Sequence, residues 1–161
     1  MKSAKVAIIM GSDSDLKVMK DAASLLKEFG ASYEIKILSA HRTPADTIKY
    51  AKEAKARGIS VIIAGAGGAA HLAGVIAAHS VIPVIGVPME TRYLKGIDSL
   101  FSTVQMPSGV PVGCMAIGSA GAKNAALFSL EILAVSDKKI YNKLTQYRQR
   151  MAKSVRGKNR H

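Results

Sequence analysis

The stretch Ser39-Ala40-His41-Arg42-Thr43-Pro44 sets an imidazole beside a guanidinium, with hydroxyls on both sides. Imidazole exchanges protons near neutral pH, and guanidinium is a permanent cation shaped to grip an oxyanion. The pair is an acid/base and anion-binding kit. Two other stretches bring compatible groups. Gly11-Ser12-Asp13-Ser14-Asp15 offers hydroxyls and carboxylates just after an apolar run, and Gly65-Ala66-Gly67-Gly68-Ala69-Ala70-His71-Leu72 offers bare backbone and a second histidine. Hydroxyls, N–H groups at helix starts and an arginine suit a phosphate or carboxylate, and an aspartate suits ribose hydroxyls. The set fits a small ribonucleotide, with a niche lined by Gly and Ala beside it.

These stretches need elements that bring them together. Residues 5–10 form a short continuous apolar run, as in a strand buried on both faces. Leu16, Met19, Ala23 and Leu26 follow at helical spacing, and Gly30 closes that helix. A second strand over 32–38 leads into the His41 loop. Thr43 and Asp46 stand at capping-box spacing, and Pro44 falls where a first helical residue needs no N–H, so a helix runs from there to about Arg57. A third strand covers 60–64, and the glycine-rich turn opens a small-residue helix to about Ser80. Strands at 83–87 and 112–117 then alternate with helices at 98–104 and 122–134. A final amphipathic helix carries Ile140, Leu144, Tyr147 and Met151 on one stripe. This alternation predicts an α/β fold: a flavodoxin-like three-layer α/β/α sandwich with a parallel five-stranded sheet. In such a sheet the turns after strands one, two and three open on one carboxyl edge, where ligands bind.

The 161 residues suffice for one domain, read as 1–155, with 156–161 as a basic, disordered tail. The net charge of +12 suggests nucleic acid until its distribution is considered. Nine of the excess positive charges lie in residues 138–161, and the remainder is close to balance. Without interleaved aromatic residues beyond Tyr141 and Tyr147, that segment reads as a solvated basic face, so no nucleic-acid partner is expected. No apolar run reaches the length of a membrane span, and no membrane association is expected. Cys114 stands alone, which excludes an intrachain disulfide and fits a reducing cytoplasm.

Other chemistries fit less well. Gly65 to Ala70 match a dinucleotide fingerprint with Glu90 as a ribose acid, but the motif follows the third strand and leaves no second domain for a hydride acceptor. A flavin site lacks flanking rings, and a phospho-receiver lacks an aspartate at the end of strand three. His41, His71 and His79 do not have metal-ligand spacing, so no metal site is expected. His79 reads as structural, Cys114 as a small buried hydrophobe, and no G-x-S-x-G elbow surrounds any serine.

Together, Met10 to Asp15, Ser39 to Pro44, Ala64 to Leu72, and Val104 to Pro107 with Gly109 to Gly113 closely resemble the class I 5-(carboxyamino)imidazole ribonucleotide mutases of bacterial purine synthesis. The likeness runs from about residue 5 to about residue 150. It implies a homo-octamer with no metal or organic cofactor and a small ribonucleotide substrate. The reaction implied moves a carboxyl group from an exocyclic nitrogen to the adjacent ring carbon. It further implies His41 as general acid/base, and Ser12, Asp15 and Arg42 as substrate-binding residues. Ser39, the Ala66-Gly67 backbone, His71 and Leu72 complete the implied pocket. Arg42, where the related carbon-dioxide-dependent carboxylases typically carry Lys, favours the mutase. That carboxylase is the alternative activity, and a nucleotide-binding module without catalysis is the alternative of another class. Ala73, the bulky charged loop Met89 to Tyr93, and Cys114 depart from the family's pattern.

Overall fold

The computed structural model describes residues 5–158. Strands β1 (Lys5–Met10), β2 (Ser32–Ile37), β3 (Ile59–Ala66), β4 (Val84–Pro88) and β5 (Gly113–Cys114) form one parallel sheet in the order β2-β1-β3-β4-β5. Helices α1 (Leu16–Phe29), α2 (Pro44–Glu53), α3 (Leu72–Ala78), α4 (Ile97–Val104), α5 (Ser119–Ala134) and α6 (Lys138–Gly157) connect and cover it. That is the flavodoxin-like order, with its reversal between β1 and β3.

Alternation along the central strands builds two cores. Val6, Ile8 and Met10 of β1, with Val61 and Ile63 of β3, face α1 and α5 and pack against Met19, Leu26, Ala122 and Leu130. The intervening Ala7, Ile9, Ile62 and Ala64 face α2 and α3, against Tyr50, Ala51, Leu72 and Ile76. Gly30, at φ 73°, ends α1 as the sequence indicates, its N–H returning to the Leu26 and Lys27 carbonyls. Between β4 and α4 the fit is close: a Cβ on Gly86 would lie 2.3 Å from Thr103 Cγ2. Only glycine lets α4 sit this near the sheet, and that placement matters for the site below.

Several boundaries differ from expectation. β3 continues through Gly65 and Ala66, which still pair with Val87 and Pro88 of β4. Expected over 112–117, β5 shrinks to Gly113–Cys114 at the sheet edge, although Met115 and Gly118 still donate to the Gly86 and Pro88 carbonyls. α2 stops at Glu53, and the chain turns through Gly58 before β3. α6 runs to Gly157, two residues into the segment read as a disordered tail, while 159–161 lie outside the described residues. Cys114 is half-buried, burial raises its thiol pKa, and its Sγ lies 3.6 Å from the Met115 carbonyl. The thiol is thus held in its unreactive form. His79 closes α3 with Nδ1 2.9 Å from the Val75 carbonyl oxygen. Among the described residues no helix is long and apolar enough to cross a membrane.

Candidate active site

The carboxyl ends of β1, β2 and β3 open on one cavity of about 510 Å³, at the point where strand order reverses. That volume suits a nucleotide-sized ligand. Its floor and one wall are backbone and methyl groups from Ala66, Gly67 and Ala69, with Leu72 behind them. Ser12 and Asp15 enter from the β1 turn, and Ser39, His41 and Arg42 from the β2 turn.

The β2 turn is held by its own hydroxyls. Ser39 N–H donates to Thr43 Oγ1 at 3.0 Å, and the Ser39 carbonyl accepts from Thr43 N–H at 3.0 Å and from the Thr43 and Thr47 hydroxyls, each at 3.2 Å. Thr43 therefore makes no capping bond to α2 despite the capping-box spacing, because its hydroxyl is engaged with Ser39. Ser39 Oγ in turn accepts from Arg42 N–H at 3.1 Å and from Arg42 Nε at 3.4 Å. Arg42 Nη2 reaches across to donate to the Gly11 carbonyl at 2.7 Å. The guanidinium thus ties the β2 turn to the β1 exit and keeps further N–H groups for an anion.

His41 stands at the cavity mouth, and its Nε2 lies 2.8 Å from His71 Nδ1, with the rings nearly perpendicular at 84°. His71 itself does not line the cavity; it meets the site through His41. One nitrogen of the contact must donate and the other accept, so at least one of the two rings is neutral while it stands. Two histidines thirty residues apart in sequence are thereby joined into one proton-exchanging pair.

The family described as AIR carboxylase matches residues 5–154. The chain belongs to that AIR carboxylase family. It is 59% identical over 160 residues to the N5-carboxyaminoimidazole ribonucleotide mutase of Pyrococcus horikoshii, covering 98% of this chain and 89% of the relative. To the protein of the same name from Vibrio parahaemolyticus it is 55% identical, covering 94% of each. Among solved structures, Treponema denticola PurE superposes with a TM-score of 0.89 at 30% identity, over 98% of this chain and 99% of that one.

This AIR carboxylase family member brings eight of the nine expected site residues to one cavity, with His71 attached through His41. Ser12 Oγ caps the short 3₁₀ turn Asp13–Asp15 by accepting from Ser14 N–H at 3.3 Å, which aims the turn's polar groups at the opening. Asp15 is half-buried there, and burial raises its carboxyl above the usual range. Its hydrogen bond from the Ser14 hydroxyl and the nearby Arg42 charge act in the opposite direction, with less effect. A fourth turn, after β4, contributes Met89 and Glu90, which the sequence reading did not assign to the pocket. The signal for them was positional: the exit of β4 lies on the same carboxyl edge as the other three.

Proposed function

We propose that this chain is a 5-(carboxyamino)imidazole ribonucleotide mutase of purine biosynthesis. It would convert that carbamate to 5-amino-4-imidazolecarboxylate ribonucleotide. The observation that carries the reading is the meeting, in one switch-point cavity, of His41, backed from outside by His71, with the Ser39–Arg42 anion grip. The names of the relatives described above support the same reaction.

The chemistry follows from the groups present. In the first half, His41 gives a proton to the carbamate nitrogen; the N–carboxyl bond breaks and carbon dioxide is set free. The aminoimidazole left behind is an electron-rich enamine whose ring carbon attacks the same carbon dioxide. Attack leaves a proton on a tetrahedral ring carbon, and its removal by the now neutral His41 restores aromaticity. One imidazole serves as acid and then as base, and the proton count closes. Arg42, Ser39 and Ser12 hold the anionic parts of the substrate, and Asp15 accepts from ribose hydroxyls. The Ala66, Gly67 and Ala69 wall carries no polar side chain to compete for carbon dioxide.

The reading includes a homo-octamer in the cytoplasm. Supporting assembly, Val81 is 98%, Val135 90% and Tyr93 84% exposed in the single chain, apolar surface that further copies would cover. Light scattering that returned a monomer would remove that part. For the reaction, the carboxyamino substrate is supplied in bicarbonate-free and bicarbonate-rich buffers and the ring-carboxylated product followed by absorbance. Turnover independent of bicarbonate is expected. Turnover only from the uncarboxylated ribonucleotide with high bicarbonate would make the protein a carboxylase, and none in either buffer would leave a binding site.

A further inference from the structure

Ser99 is fully buried on α4 and does not line the cavity. Its hydroxyl nevertheless joins two of the cavity's walls. It donates to the Met89 carbonyl at 2.7 Å and accepts the Gly68 N–H at 2.9 Å. Met89 belongs to the wall after β4, and residue 68 to the glycine-rich wall after β3. Slightly further along α4, Ser102 Oγ donates to the Gly68 carbonyl at 3.2 Å. Helix α4 therefore grips both polar groups of one peptide residue, and that residue sits at φ 66°, a conformation only glycine adopts without strain. With the N–H and C=O of residue 68 engaged from behind, the faces of Gly67 and Ala69 are presented to the ligand. No other side chain reaches both walls in this way among the described residues.

We propose that Ser99, assisted by Ser102, is a positioning residue that keeps the Gly/Ala wall closed over carbon dioxide between the two halves of the reaction. This rests on the mutase reading. Once the N–carboxyl bond has broken and the nitrogen has its proton, nothing covalent holds the gas. Either the ring carbon takes it up and gives its proton to His41, or it escapes and uncarboxylated aminoimidazole ribonucleotide is released. The distance between the walls decides that partition. Removing the Ser99 hydroxyl deprives the half-buried Gly68 N–H and the buried Met89 carbonyl of that partner, so the glycine-rich wall loosens at residue 68, although the Met89 N–H still holds the Ala66 carbonyl at 2.9 Å at its base.

The test measures, for the full-length protein, the fraction of consumed carboxyamino substrate that emerges as uncarboxylated ribonucleotide. In Ser99→Ala this fraction is expected to rise about tenfold. Ser102→Ala should raise it less, because the Gly68 carbonyl keeps the Ala70 N–H at 2.8 Å. The pH profile of turnover should stay where it is in the wild type, since His41 is untouched. Ser129 is the control: it is equally buried, donates to the Ala125 carbonyl at 2.8 Å within α5, and lies outside the site. Ser129→Ala should lower Tm and leave the fraction alone. Wild-type coupling in both α4 variants, or an equal rise in Ser129→Ala, overturns the proposal. Should Ser99→Ala fail to fold, the Ser102→Ala fraction decides by itself. A wild-type protein that leaves the carboxyamino substrate unchanged overturns the mutase reading, and this proposal with it.

Discussion

Two concavities of this chain differ in what they gather. The larger, about 780 Å³, runs between α5 and α6 and is lined by Ala134, Val135, Tyr141, Leu144 and Ala152. Its charged groups, Glu131 and Arg148, hydrogen-bond to each other. The smaller, about 510 Å³, holds Asp15, His41, Arg42 and Glu90 around a backbone wall. In the groove the charges satisfy one another and leave apolar surface. In the pocket Arg42 gives only part of its donor set to Gly11 and Ser39, while His41 is joined to a partner that can take or give a proton. Volume and apolarity therefore point to one place and chemistry to the other. Convergent, incompletely satisfied polar groups are the better guide to a reaction.

The sharpest way to break that comparison is to remove the imidazole. His41→Asn keeps a polar side chain of similar reach but cannot act as acid and base. We expect kcat to fall by about 10²–10⁴-fold with substrate binding retained, read by steady-state turnover alongside calorimetric titration. Turnover near that of the wild type would take His41 out of its role and return the pocket to the same standing as the groove.

The converse prediction concerns the groove. Leu144 is 7% exposed and packs into the core shared by α1, α5 and α6. Leu144→Ala is expected to cost about 2–3 kcal/mol of stability, the lower part of the range for core truncations, because the site borders an open groove and can relax. Measured by denaturant unfolding, the loss should come with an unchanged kcat and KM for the folded protein. A large drop in kcat would mean that the groove and the pocket communicate.

How much of this was legible beforehand follows the same division. The pleat of β1 shows in residues 5–10, and the stop at Gly30 needs only a positive φ that glycine supplies without strain. Ser39, His41 and Arg42 could be read because their side chains carry the chemistry themselves. Met89 and Glu90 could not, since their place in the pocket comes from where β4 ends. Ser99 was hidden further still: a serine inside a helical pattern looks neutral, and its importance lies in two backbone groups from other turns. Thr43 shows the reverse failure, where the right spacing for a cap was present but a competing carbonyl and N–H of Ser39 claimed the hydroxyl. The short β5 has a similar cause. Its apolar run is long enough, but it lies at the sheet edge, and beyond Cys114 only Met115 and Gly118 keep single bonds to the Gly86 and Pro88 carbonyls of β4, too few for a regular ladder.

Asp15 gives the smallest effect and the finest test, because it sets the pocket's function against its stability. Burial raises its carboxyl above the ordinary value of 3.8, so the folded protein holds the proton to higher pH than the unfolded chain does. As pH rises through 3.8 and upward, the unfolded chain releases this proton first, and the folded state loses stability relative to it until the folded carboxyl has also ionised. At neutral pH the ionised Asp15 is therefore a net cost to the fold. Asp15→Asn removes that cost, and its Tm should exceed the wild type's at pH 7, with the gap closing as pH falls below 3.8. The same change should raise KM about three- to tenfold, since an amide oxygen is a weaker acceptor than a carboxylate for ribose hydroxyls. A stabilised protein that binds substrate less well is the signature of a group retained for its ligand. No comparable trade is expected from neutralising Glu131 in the groove. That carboxylate already has Arg148, so losing it can only remove a contact, and an increase in Tm there would erase the distinction between the two concavities.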